Sequence, residues 1–173
     1  MYEETLILLK PDALERRLVG EIIQRYERAG LSILDIRFYN KVDENLVRIQ
    51  YPDSMALQLG MKAKDAVGGV VDPEAHGLKV LSWLRRYLSR GPIIALKLGG
   101  EDAIEVARRV TGYTDPSRAE KGTIRGDLGV DSIRRSTEEG RACENLVHAS
   151  GSREEAEREL SIWFQDCDLR SDG

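Results

Sequence analysis

Several residue types are scarce in this chain, and each shortage removes a class of protein. Of 173 residues only two are cysteine, Cys143 and Cys167. One bridge at most can form, so no disulfide scaffold is expected, and a chain near this length buries about 70% of its unfolded surface without one. Histidine is equally rare: His76 and His148 stand alone, and neither histidine nor cysteine occurs in a close ligand pair. A structural zinc site is not expected. Long apolar runs are missing too, since Leu6 to Leu9 and Ile93 to Leu96 are strand-sized and far short of the roughly 20 residues that span a bilayer. The opening Met1-Tyr2-Glu3-Glu4 lacks the basic, apolar, small-residue leader of a secreted protein, which favours a reducing, cytoplasmic setting. There is no G-x-x-x-x-G-K-[ST], no G-x-G-x-x-G after a strand and no protein-kinase catalytic loop. Any nucleotide chemistry must use another architecture.

A surplus of positive charge is also absent. Lys and Arg number 26 against 30 Asp and Glu, a net charge of −4, which argues against a nucleic-acid binder that relies on bulk positive charge. The distribution is uneven, however. Residues 1–78 hold 10 basic and 13 acidic groups, residues 79–141 hold 13 and 9, and residues 142–173 hold 3 and 8. A basic middle in an acidic chain suggests a local anion site. The 41% hydrophobic and 32% charged content is that of a soluble globular protein, and with no repeat or dividing linker residues 1–173 read as a single domain.

What is present reads as alternating strands and helices. Thr5 to Leu9 predicts a strand that Lys10-Pro11-Asp12 ends. Val19, Ile22, Ile23 and Tyr26 recur at helical spacing up to Ala29, and Gly30 supplies a left-handed cap. Ser32 to Tyr39 alternates, with Leu34, Ile36 and Phe38 as the apolar face of a half-buried strand. Asp43 caps a helix reaching about Tyr51, and Pro52 ends it. Residues 53 to 76 read as an inserted excursion with at most one short helix, because Gly60, Gly68, Gly69 and Pro73 interrupt any long pattern. Leu78, Leu81, Trp83, Leu84 and Leu88 then mark an amphipathic helix, Ile93 to Leu98 a strand, and Glu101 to Val110 a further helix. Thr111 to Ser136 is polar and reads as a long loop, a kind of segment that is usually functional.

The sharpest unit is the last. Leu146-Val147 leads into His148, and Ser152 with Glu155 forms a capping box for a helix running to Phe164. Ala156, Leu160, Trp163 and Phe164 form its buried face, with Glu159 on the flank, where a carboxylate is costly without a partner. His148 thus sits near a helix N-terminus that stabilises phosphate, on the same unit as a carboxylate able to fix its tautomer. Lys10, Arg108 and Arg125 are cations that could neutralise a transferring phosphoryl group. A loop histidine satisfied by the backbone is the plain alternative.

Three stretches together carry a family resemblance. They are Thr5 to Asp12 with Leu18-Val19-Gly20-Glu21-Ile22-Ile23, then Gly122-Thr123-Ile124-Arg125-Gly126-Asp127, then Asn145-Leu146-Val147-His148-Ala149-Ser150. In order and context they resemble nucleoside diphosphate kinase. The resemblance implies an α+β, ferredoxin-like βαββαβ sandwich, a four-stranded antiparallel sheet covered by helices, here with insertions at about 54–76 and 128–142. It implies a ping-pong exchange in which His148 takes the γ-phosphate of a nucleoside triphosphate, commonly ATP, and passes it to a nucleoside diphosphate, with Mg²⁺ carried by the nucleotide. It makes Glu159 the carboxylate that orients the ring, and Lys10 the contact to the γ-phosphate and the sugar 3′-hydroxyl. Asn145 falls at the ribose, Arg108, Thr114 and Arg125 at the phosphates, and Tyr51 near the histidine. Arg109 is the rival to Arg108, and Arg108 could instead pair with Glu105 or Glu101. A homo-oligomer, tetramer or hexamer, is implied as well.

One departure stands out. Counting back from Gly91-Pro92, the helix position where the family stacks a phenylalanine on the base is Val80. An aliphatic contact there forgoes stacking worth about 1–3 kcal/mol. Weaker nucleoside affinity is expected unless the first insertion compensates, and a regulatory module that has lost transfer is the competing reading.

Overall fold

The computed structural model describes residues 1–165, so Cys167 lies outside the described residues. Four strands, β1 (Tyr2–Leu9), β2 (Ser32–Tyr39), β3 (Ile93–Glu101) and β4 (Val147–Ala149), form one sheet in the order β2-β3-β1-β4. Every neighbouring pair is antiparallel, as a ferredoxin-like βαββαβ chain requires. β1 is central, which explains its unbroken run of leucines and isoleucine. With both faces covered, no polar alternation survives: Leu6 and Leu8 enter one core, Ile7 and Leu9 the other. Each such side chain contributes about 2 kcal/mol of transfer free energy.

The helices divide between the two faces. On one, α2 (Val19–Arg28) and α6 (Ala103–Thr111) place Ile22, Tyr26, Ala103 and Ala107 over Ile7, Leu9, Leu96 and Leu98. Gly30 closes α2 at a φ of 91°, as its place after Ala29 predicts. On the other, α3 (Glu44–Gln50), α5 (Pro73–Ser89) and α9 (Arg153–Trp163) bring Val47, Leu81, Leu88 and Trp163 over Leu6, Leu8, Ile93 and Ala95. The Asp43 carboxylate accepts from Asn45 N at 2.8 Å, the expected cap. A short helix that the sequence reading lacks, α1 (Pro11–Glu15), follows β1 directly.

Three further expectations change. The excursion after Pro52 holds a full helix, α4 (Ala56–Val67), and α5 begins at Pro73 rather than near Leu78. Gly60 misleads as a helix breaker because its function is close approach, which Gly77 of α5 shares. A Cβ on Gly60 would lie 1.6 Å from the Pro73 carbonyl oxygen, and one on Gly77 would lie 1.7 Å from that of Ala56. The polar stretch from Thr111 is likewise not one loop, since it folds α7 (Ile124–Leu128) and α8 (Ile133–Glu138). Lastly, the apolar face of β2 is uncovered: Leu34, Ile36 and Phe38 are 43%, 48% and 62% exposed. The expected alternation is real, but β2 is an edge strand, and among the described residues no helix covers these three side chains.

Candidate active site

His148 lies in β4 opposite Leu8 of β1, and the chain turns at once into α9. Ser152 caps that helix by accepting from Glu155 N at 3.2 Å. The Glu155 carboxylate reaches back to Gly151 N at 3.0 Å, one residue earlier than a strict capping box. Two turns into α9, Glu159 is fully buried and meets the ring, with His148 Nε2 2.5 Å from Glu159 Oε2. Ser150 Oγ donates to Glu159 Oε1 at 2.7 Å. Burial alone would raise the pKa of Glu159, but the neighbouring imidazole and the donors His148, Gln50 and Ser150 outweigh it and hold the carboxyl below its ordinary range. An ionised Glu159 must accept, so the ring proton sits on Nε2 and the Nδ1 lone pair is left for chemistry. The sequence places the carboxylate on a flank in need of a partner, and His148 is that partner.

The backbone that carries His148 is pinned from β1. Leu146 holds a left-handed φ of 71°, uncommon for a non-glycine residue. Its two main-chain groups are both claimed: Lys10 N donates to Leu146 O at 2.8 Å, and Leu146 N donates to Asp12 Oδ2 at 3.2 Å. Asp12 in turn accepts from the Tyr87 hydroxyl of α5. Burial raises the Asp12 pKa in spite of these bonds.

The cations are arranged at different depths. Lys10 is 4% exposed, and its Nζ donates to Asn145 Oδ1 at 2.8 Å above the Tyr87 ring. Burial, reinforced by the charge of Arg125, lowers its pKa to about 8. Arg125 is also buried and spends its guanidinium on main-chain carbonyls of Gly112 (3.1 Å), Asn145 (3.1 Å) and Val147 (2.5 Å). Asn145 Nδ2 donates to Thr114 O at 3.0 Å, tying the loop after α6 to the strand that carries His148. Arg108, from the last turn of α6, reaches Gly151 O at 3.2 Å. Tyr51 is buried at the end of α3, where burial and the charge of Glu159 raise its phenol pKa.

His148, Gln50, Lys10, Tyr51, Arg108, Thr114 and Arg125 border one cleft of about 570 Å³, whereas Asn145, Glu159, Ser150, Asp12 and Tyr87 support these groups without lining it. Of the expected set, Val80 also lies outside the lining, and unlike Asn145 and Glu159 it has no hydrogen bond to a lining side chain. The apolar wall comes instead from Leu84 of α5 and from Met55 and Leu59 at the start of the inserted hairpin. One face of α4 continues that wall with Gln58, Lys62 and Asp65, and Ile133 of α8 meets it from the second insertion. Both insertions therefore edge the cleft. Among the described residues, His148, Glu155 and Glu159 form the one group of potential metal ligands within 4.8 Å of each other, but both carboxylates already accept protein donors.

Sequence reasoning missed Gln50, Ser150, Asp12 and Tyr87. Ser150 is two residues from His148 on the same chain segment, a spacing that could have drawn attention. Gln50 had no such signal, because its contacts depend on where α3 ends relative to α9.

Comparison with known proteins agrees with the geometry. A family model described as nucleoside diphosphate kinase matches residues 3–58 and 74–169, leaving out most of α4 and the turn before α5. The nucleoside diphosphate kinase of Pyrobaculum aerophilum is 43% identical over 176 residues, covering 95% of this chain and 96% of that protein. That of Pyrococcus furiosus is 36% identical over 163 residues, covering 94% and 83%. Among solved structures, an NDP kinase from Pyrobaculum aerophilum superposes with a TM-score of 0.86 at 37% identity, over 96% of this chain and 97% of that one. A transition-state mimic of the Borrelia burgdorferi enzyme with bound vanadate and ADP superposes at 0.82 with 32% identity, over 95% and 88%. From the cleft, the four-stranded sheet and these likenesses, the chain belongs to the nucleoside diphosphate kinase family.

Proposed function

We propose that this chain transfers the γ-phosphate of a nucleoside triphosphate, typically ATP, to a nucleoside diphosphate through a phosphohistidine at His148. The observation that carries this reading is the His148–Glu159 pair at 2.5 Å, in which the carboxylate holds the Nε2 proton and frees Nδ1. In the first half-reaction Nδ1 attacks the γ-phosphorus, an N–P bond forms, and the bridging oxygen leaves with its electron pair on the diphosphate. The developing imidazolium charge is met by Glu159 without moving the Nε2 proton. In the second half a terminal oxygen of the acceptor diphosphate attacks the same phosphorus, and Nδ1 recovers its pair.

The surrounding side chains fit that path. Lys10 sits beside Asn145 at the cleft floor, suited to a γ-phosphate and a sugar hydroxyl. Arg108 and Thr114 line the wall towards the loop after α6, where α- and β-phosphates would lie. With its donors on carbonyls, Arg125 shapes the phosphate wall and adds positive potential from behind it. Tyr51 supports the cleft beside the ring. Mg²⁺ would arrive on the nucleotide phosphates and neutralise part of their charge, which suits a cleft whose carboxylates near His148 are already engaged.

The base would lie against Leu59, Met55 and Leu84 in place of a stacked aromatic ring, so α4 makes up part of what Val80 does not supply. The exposed strip of Leu34, Ile36 and Phe38 suits burial against a second copy, which supports a homo-oligomer. Among the described residues no helix is long and apolar enough to cross a membrane. We place the enzyme with the soluble nucleotides of the cytoplasm.

The test is direct. Incubation with γ-labelled ATP and Mg²⁺ should give an acid-labile, base-stable phosphoprotein whose label GDP removes. Label that persists in His148→Ala, or no label in the parent protein, would sink the mechanism. Glu159→Gln should slow phosphorylation while nucleotide binding persists.

A further inference from the structure

Gln50 ends α3 and is buried, with its amide between Trp163 and the His148–Glu159 pair. Its orientation is dictated by chemistry. An indole N–H only donates, and Trp163 Nε1 lies 2.8 Å from Gln50 Oε1, so the amide nitrogen must face the other way. There Gln50 Nε2 donates to Glu159 Oε2, the same oxygen that receives the His148 Nε2 proton, and lies 3.4 Å from that ring nitrogen. The second carboxylate oxygen is taken by Ser150.

We propose that Gln50 is a positioning residue that sets the proton affinity of His148 through Glu159, with Trp163 fixing the direction of its amide. This rests on the reading of His148 as phosphoryl acceptor. A carboxylate oxygen that faces the imidazole alone would favour the protonated, non-nucleophilic ring more strongly. A second donor on the same oxygen draws off part of that negative charge. The ring then keeps the Nε2 proton it needs for orientation while Nδ1 stays unprotonated to lower pH. Among the described residues, the other titratable or charged groups that line the cleft near the ring are Glu155 on α9, Arg108 on α6, Lys10 after β1, Arg125 on α7 and Tyr51 after α3. None of them is hydrogen-bonded to the Gln50 amide, so a change at Gln50 leaves their contacts intact.

The chain has only two histidines, so an imidazole NMR titration contains two residues, with His76 as internal control. Gln50→Met keeps the length of the side chain without its amide. In this variant the His148 midpoint should rise by about half to one pH unit while His76 is unmoved. The midpoint of the phosphorylation rate against pH should rise with it. Trp163→Phe removes the N–H that orients the amide and should shift His148 the same way by less. If Gln50→Met fails to fold, Trp163→Phe read by the same titration decides the matter. An unmoved or lowered His148 midpoint, with a rate reduced equally at every pH, would overturn the proposal. Because the titration needs no nucleotide, a raised midpoint supports the role of Gln50 even if the parent protein took no label, and an unmoved one overturns it even if transfer is intact.

Discussion

Lys10→Met should stabilise the nucleotide-free protein at neutral pH while removing the phosphate contact proposed for this lysine. The folded state holds Lys10 at a pKa of about 8 against an ordinary 10.5, because burial and Arg125 disfavour the ammonium. At about 1.4 kcal/mol per pH unit, burying the charge costs the folded state about 3 kcal/mol at pH 7. Methionine removes that cost but leaves Asn145 Oδ1 without the donor it has at 2.8 Å, a loss of about 1–2 kcal/mol. The net expectation at pH 7 is a gain of about 1–2 kcal/mol. The sign then changes with pH. Between about 8 and 10.5 the folded state has released the Lys10 proton while the unfolded state still holds it, so the parent gains stability with rising pH. Above that window the variant should be the less stable of the two, by about the lost hydrogen bond. Urea unfolding of both proteins at pH 7, 8.5 and 10.5 reads the difference, and groups common to both cancel. A difference that is flat across this range, or that grows in favour of the variant as pH rises, would refute the reasoning.

Three other outcomes are expected. Gly77→Ala places a methyl 1.7 Å from the Ala56 carbonyl oxygen, so the α4–α5 hairpin must open, with a loss of about 3 kcal/mol seen in thermal or urea unfolding. Leu84→Ala should raise nucleotide KM by about tenfold with kcat nearly unchanged in a steady-state assay, if the base lies against this cleft-lining leucine as proposed. Phe38→Glu, at a side chain 62% exposed on β2, should yield a folded monomer in analytical ultracentrifugation if that strip joins copies.

The strands and the His148–Glu159 pair were legible because they rest on local pattern. Leu6 to Leu9, the Gly30 cap and the Ser152 cap each follow from short-range periodicity or a single side chain. Glu159 was legible for a related reason, since a carboxylate on a buried flank demands a partner. The α4–α5 hairpin was hidden because a glycine reads the same whether it breaks a helix or admits another backbone, and only the neighbour decides. Exposure of Ile36 and Phe38 was hidden because alternation reports that a face is apolar without saying what covers it. Val80 was placed by counting along the chain, but α4 and the turn before it bring Leu59 and Met55 into the cleft from an insertion that counting cannot follow.

The central place of β1 has a consequence for how the protein is made. β1 emerges first among the strands, yet its two partners begin at residues 93 and 147. At roughly 5–20 residues per second, the strand carrying Leu6 to Leu9 waits several seconds for β3 and longer for β4. During that interval its most apolar stretch has no sheet to join, which makes the nascent chain a client for whatever shields it at the ribosome exit. The histidine and the Leu146 that the Lys10 and Asp12 turn holds are made after nearly all the rest of the sheet. A truncated or stalled product therefore has a sticky strand and no chemistry.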